Sequence, residues 1–277
     1  IAGSLYALLA VSWGLIFFTT KTFHIAHAFI FTACAYLAIV LVNAAGVPLA
    51  AALVLTALFG AAFGAACERW LYRPLRRVQA SQLNIFLASL GFLVAGESAI
   101  LIGFGPNAQS LQGFALRGIS IGPIAFTTVD LLLVVGSWVL IVGILLWLKR
   151  TRFGRAVRAV ASNPELAHSF GIDANRVFLV VYGLGSALAA AAAIFFPLRN
   201  TASPVMGLPP VLGGIIGVFL GGIGSLPGSA LGGIVLGLAE NMGGLVLPGH
   251  WQGAIAFLVL FVVIVFWPNG LLGQRSR

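Results

Sequence analysis

Nine apolar runs recur along this chain from end to end, most of them near the roughly 18 residues an α-helix needs to cross a bilayer. They read at about 1-20, 23-42, 47-67, 82-104, 130-148, 177-196, 210-225, 229-247 and 250-268. A secretory signal would give one short apolar core and a cleavage site, so repetition of this kind means that the solvent is lipid. Hydrophobic residues make up 60% of the 277 positions and charged ones only 8%, more apolar surface than a soluble core of this size could hide. Inside lipid every backbone N–H and C=O must be bonded internally. The expected fold is therefore all-α: a polytopic transmembrane helical bundle, one domain over 1-277, with about eight or nine spans, some broken or re-entrant. The seventh run, short and Gly-rich, is the expected break. The chain opens at Ile1, so an initiating segment is expected upstream.

The charges orient such a bundle. A net charge of +9 would suggest nucleic acid in a soluble protein, but in a membrane protein it reads first as topology, and no nucleic-acid partner is expected. If the runs alternate, Lys21, Arg69, Arg73, Arg76, Arg77, Lys149, Arg150, Arg152, Arg155, Arg158, Arg176, Arg275 and Arg277 share one side, thirteen of the 15 Lys and Arg residues. The positive-inside rule makes that side the cytoplasm, leaving Arg117 and Arg199 outside, the N-terminus outside and the C-terminus inside. Trp70, Trp147, Trp251 and Trp267 then fall at run ends, where indoles prefer the headgroup region. Residues 105-129 become an external segment, too long for a tight turn. Cys34 and Cys67 sit inside apolar runs and read as small packing residues.

Between the fifth and sixth runs the pattern breaks at RTRFGRAVRAVASNPELAHSFGIDANRV, Arg150 to Val177, a cytoplasmic loop at about 149-176. Topology needs its charge but not its punctuation. Asn163 is an N-cap, Pro164 fits the first helical position, Glu165 favours the dipole, and Gly171 is a stop. Asp173 caps the next helix. The loop thus encodes a short rigid helix from Pro164 to Phe170 at the membrane surface, preceded by Arg152, Arg155 and Arg158 three apart on one side. We read it as a docking surface; the competing reading is that its cations only fix topology.

Three other features carry candidates. Arg69, Arg73 and Arg76 in ERWLYRPLRR stand at i, i+4, i+7, one helix face that Pro74 disturbs, and read as a cytoplasmic anchor. Gly213, Gly217 and Gly221 recur every fourth residue, and Gly224, Gly228 and Gly232 do so again across the break at Ser225-Leu226-Pro227-Gly228, which must turn the chain on the cytoplasmic side as an inner-gate candidate. Such spacing lets helix backbones approach closely, within one subunit or across a dimer seam. His27, Glu97 and Glu240, the last followed by Asn241, are the most deeply placed polar groups, open between structural and pathway roles. There is no P-loop, no metal-ligand spacing and no nucleophile-base set, so the chain is not expected to be an enzyme.

Four stretches resemble the permeases of branched-chain amino-acid ABC importers. Glu165 to Gly171 reads E-x-A-x-x-x-G, similar to the cytoplasmic loop by which such permeases contact their ATPases. AHAFIFTACAY at 26-36, ERWLYRPLR at 68-76 and LGGIGSLPGSALGGIVLGLAE at 220-240 resemble the family's other motifs in the same order, with Ala28 replacing the usual Gly after His27 and His24 standing where Asn is common. The resemblance implies an inner-membrane importer subunit for leucine, isoleucine, valine or a related solute, with urea, amides or aromatic acids as family alternatives. It implies an ATPase-coupling loop carrying Arg155, Arg158, Asn163, Pro164, Glu165, Ala167 and Gly171. The implied partners are two ABC ATPases, a second permease (a paralogue) and an extracytoplasmic binding protein, with ATP and Mg on the ATPases and no cofactor here. The competing class is an ion-coupled secondary transporter recruiting Glu97 and Glu240, which leaves the capped loop unexplained.

Overall fold

A computed structural model describes residues 1–111, 118–121, 124–245, 252–267 and 269–273. Arg117, Trp251, Arg275 and Arg277 lie outside the described residues. Leu-, Ala- and Val-rich stretches with no polar backbone partners nearby close their hydrogen bonds within themselves, and helices result. Helix α1 is Ala2–Thr20, and α2, His27–Ile39, runs on through a π turn at Val40–Ala44. Helix α3, Leu49–Cys67, passes through a second π turn, Glu68–Tyr72, into α4, Arg73–Arg77. Then come α5, Gln82–Phe104, a two-stranded antiparallel ribbon (β1 Gly118–Ile121, β2 Ile124–Thr127) and α6, Thr128–Arg150. The last six helices are α7 Arg152–Ser162, α8 Pro164–Ser169, α9 Ala174–Arg199, α10 Leu208–Gly221, α11 Leu226–Gly243 and α12 Gln252–Phe266.

The nine apolar runs become, among the described residues, six helical spans of full crossing length, one pair bent by 118° and one shorter apolar helix. The bent pair is α10 with α11, so the break expected in the seventh run is a turn shared with the eighth. Helix α1 is apolar all round and accordingly central: Leu8, Leu9, Val11, Trp13, Leu15 and Ile16 are buried against α9, α10 and α11. By contrast α3, α5, α6 and α12 keep rows of apolar side chains uncovered, such as Leu58, Ile102, Val139 and Phe261, a surface suited to lipid.

Cations gather at one end of this bundle. Arg76 lies over the Phe178 ring at 4.8 Å, and Arg158 Nη1 donates to the Leu148 carbonyl at 3.0 Å, so α4, the end of α6, α7 and the start of α9 meet there. We call this the basic end. Gln109 and Ala202 form an isolated bridge at the opposite end, and the segment read as external folds locally into the β1–β2 ribbon, with Thr127 and Asp130 closing a capping box that starts α6.

Candidate functional site

At the basic end the loop is built as two capped helices. Thr151 Oγ1 accepts from the Gly154 amide at 3.1 Å and starts α7, which buries Val157 and Val160 on one face and exposes Arg152, Arg155 and Arg158 on the other. Arg158 also bonds a carbonyl at the end of α6, so it holds α7 to the span before it. Asn163 Oδ1 accepts from the Leu166 amide at 2.9 Å, with Pro164 next to it in the first turn of α8. The helix ends one residue earlier than Phe170, which is its C-cap, and Gly171 comes next at φ 81°. Gly171 and Ile172 amides bond the His168 and Ala167 carbonyls, closing the last turn as a left-handed stop does. Asp173 Oδ1 then accepts from the Asn175 amide at 2.9 Å and opens α9. Ala167 is buried, whereas Glu165 is exposed and Leu166 and Phe170 are 57% and 79% exposed. An acid and two apolar side chains therefore stand uncovered on a stiff six-residue helix and its cap.

The glycine-rich pair is a close-crossing hairpin within the chain. A Cβ on Gly221 would overlap the Gly228 carbonyl, one on Gly232 would overlap the Gly217 carbonyl, and one on Gly217 would meet the Gly233 backbone at 3.0 Å. Gly213 instead makes room for the Tyr6 ring of α1. Gly224 departs from the packing role expected of it: it sits in the turn at φ 98°, and an added Cβ would meet only Phe18, at 3.8 Å. It supplies a backbone conformation, not a contact surface. Ser225 is the N-cap of α11, its Oγ accepting from the Gly228 amide at 3.1 Å, and Pro227 lies in the first turn. The amides of Leu271 and Leu272 bond the carbonyls of Leu220 and Gly221 at 2.9 Å, so the chain after α12 covers the end of α10.

His27 is wholly buried, its Nε2 2.7 Å from Ser12 Oγ. It belongs to a larger polar cluster that the spacing of residues did not disclose. His24 Nδ1 lies 2.6 Å from the Tyr72 hydroxyl, Tyr72 donates to Ser89 Oγ at 2.8 Å, and Ser89 Oγ also accepts from the Ala26 amide. Burial and the neighbouring His27 hold His24, in the turn between α1 and α2, well below the ordinary histidine range. The Tyr72 ring stacks on Tyr182 of α9 at 5.1 Å, and Glu68 pairs with Arg76. The i, i+4, i+7 arginines do not share one exposed face: Arg69 is exposed while Arg73 and Arg76 are half-buried. The π turn widens the helix just before Pro74 and rotates the residues beyond it away from the face that a regular helix would give them. Glu97 is half-buried on α5, away from these groups, beside Gly96, which packs on the Phe29 ring.

Glu240, only 7% exposed, lies at the other end of the bundle. It lines a cavity of about 660 Å³ between the start of α1, the end of α9, the start of α10 and the end of α11, together with Asn241, Tyr6, Asn200, Thr201 and Phe196. A second cavity of about 350 Å³ shares Tyr6 and Glu240, whose side chains are close neighbours. Asn241 Nδ2 donates to the Gly237 carbonyl at 2.6 Å. No group of three or more His, Cys, Asp or Glu residues suited to a metal occurs among the described residues.

Spans of full crossing length, a bent glycine-rich helix pair and a stiff surface helix at the basic end make this a multi-pass membrane protein, and the comparisons with known proteins make it an ABC importer permease. The chain belongs to the family of branched-chain amino acid transport system permease components, whose family model matches residues 1–264. It is 28% identical to the high-affinity branched-chain amino acid transport system permease protein BraD of Pseudomonas aeruginosa, over 98% of this chain and 92% of that protein. LivH of Escherichia coli K12, a permease protein of the same description, is 26% identical over the same shares. The xylose transport system permease protein XylH of Escherichia coli K12 is 28% identical over 50% of this chain and 36% of its own length. No solved protein structure matches.

Proposed function

We propose that this chain carries branched-chain amino acids inward, paired with a second, paralogous permease and driven by two separate ATPase subunits that bind ATP and Mg. A soluble binding protein delivers the substrate on the outer side, and this chain has no ATPase site of its own. The observation that carries the reading is α8, fixed by Asn163 and Gly171 and presenting Glu165, Leu166 and Phe170 to a partner. Arg155 stands exposed on the preceding helix. Rigidity matters because a soft loop absorbs displacement, whereas α8 leads within a few residues into α9. From there Phe178 meets Arg76, and Tyr182 stacks on Tyr72, which bonds His24 in the α1–α2 turn. A push at the surface thereby has a packed route to the core helices. The relatives named for branched-chain amino acids along almost their whole length support the substrate, since the xylose permease matches only half of this chain.

The test is uptake into proteoliposomes that hold this chain, its partner permease and the ATPases, with binding protein added outside. Labelled leucine should accumulate only with ATP and Mg inside, and isoleucine and valine should compete while xylose, urea and phenylalanine do not. Uptake driven by a proton or sodium gradient without ATP would instead make the chain a secondary transporter.

A further inference from the structure

The cavity beside Glu240 has a chemistry of its own. Among the described residues Glu240 is the only carboxylate that lines it, no Lys, Arg or His side chain does so, and Ile1 and Ala2 form part of the wall. The start of α10 offers little to an anion, because Pro209 and Pro210 remove two amides from its first turn. Apolar side chains, Leu5, Leu133 and Phe196 among them, line much of the rest, and the hydroxyls and amides come from Asn200, Thr201, Ser203 and Asn241. A carboxylate that is 7% exposed in a lipid-embedded bundle needs partners. Tyr6 is its neighbour, and a carboxylate accepts about four hydrogen bonds, so capacity is left for a donor that comes and goes. An ammonium brings three donors and a positive charge.

We propose that this cavity is an amino-acid subsite in which Glu240 receives the α-ammonium of the substrate, Tyr6 holds the Glu240 carboxylate in place, and the apolar wall takes the aliphatic side chain. Gly213 is part of the device, because a Cβ there would meet Tyr6 Cε1 at 2.6 Å and displace the ring. The pair stands between two cavities, so a ligand held on Glu240 sits at the partition from one to the other. The inference rests on the reading of this chain as an amino-acid permease and names the residues that read the amino group.

The assay uses the assembled permease pair with its ATPases in nanodiscs, without binding protein, and Thr201→Cys as a reporter at the cavity wall; the native Cys34 and Cys67 are buried. Protection of that cysteine from a maleimide is measured with leucine, leucinamide and isocaproate, which have both charged groups, only the ammonium and only the carboxylate. Leucine and leucinamide should protect, and isocaproate should not. Glu240→Gln should raise the leucine concentration for half-protection about tenfold or more, about 1.4 kcal/mol, with Glu240→Asp partly restoring it. Equal protection by isocaproate, protection by none of the three, or an unshifted Glu240→Gln curve would overturn the subsite. The isocaproate comparison needs no change at Glu240 and so stands whether or not that variant folds. ATP-driven leucine uptake by the wild-type complex reports separately on transport: uptake with no ammonium selectivity sinks the subsite alone, and absence of uptake sinks the transport reading.

Discussion

Gly221 and Gly228 each occupy the space a side chain would need on the other, and both close contacts are to backbone carbonyls, which cannot rotate away. Gly91 on α5 is the natural contrast, since nothing lies within 4 Å of the Cβ it would carry. Both are glycines in apolar helices, so leucine gains helix propensity at either site and only the surroundings differ. Gly221→Leu should force the hairpin apart and destabilise the protein by about 3 kcal/mol or more, as overpacking against backbone does. Gly91→Leu should be neutral or slightly stabilising. Thermal unfolding of the detergent-purified protein checks this, and equal melting of the two variants would remove the hairpin crossing as a source of stability. Here the four-residue spacing was readable in the sequence, but which glycine packs and which only turns was not. Gly224 keeps the same spacing and yet serves backbone conformation, at φ 98°.

Among elements, α8 was legible almost residue by residue because everything that defines it is local: an N-cap, a proline in the first turn and a left-handed stop all lie within nine positions. The His24–Tyr72–Ser89 chain was hidden for the opposite reason. Its partners are 48 and 17 residues apart, and no periodicity links a turn to a π turn to a helix face. The π turn at Glu68–Tyr72 misled the reading of the arginines in the same way, since a regular helix is assumed when positions are counted by 3.6. The local character of α8 also makes it testable alone. Gly171→Val places a β-branched residue at φ 81°, which costs about 1–2 kcal/mol and loosens the stop. Glu165→Lys leaves the fold untouched and reverses an exposed charge. Both proteins should reach the membrane at normal levels yet co-purify less ATPase and lose substrate-stimulated ATP hydrolysis. Full coupling in both would leave the loop as a topological anchor only.

For the whole molecule, burial and charge divide the surface in two independent ways. Around the bundle, α3, α5, α6 and α12 present apolar side chains with no protein over them, which fits a belt of lipid. Along its axis, Lys21, the four arginines from Arg69 to Arg77 and the six Lys and Arg residues from Lys149 to Arg176 gather at the end that carries α7 and α8, while Arg199 closes α9 at the far end. The cytoplasmic leaflet attracts Lys and Arg, and moving such a cluster through the hydrocarbon core is costly, so insertion with the basic end inside is the favoured outcome. That orientation would put α8 on the side where the proposed ATPases bind ATP and the Glu240 cavity on the side where the proposed binding protein delivers. Single cysteines at Ser162 and Asn107 test it, because α6 separates the two positions and the native Cys34 and Cys67 are buried. A membrane-impermeant maleimide should label Asn107→Cys in intact spheroplasts and Ser162→Cys only in inverted vesicles. The reverse pattern would invert the protein and detach α8 from any cytoplasmic ATPase. Labelling of both from one side would mean that α6, 23 residues long and apolar enough to cross, does not cross, and the alternation of spans on which the orientation rests would fail with it.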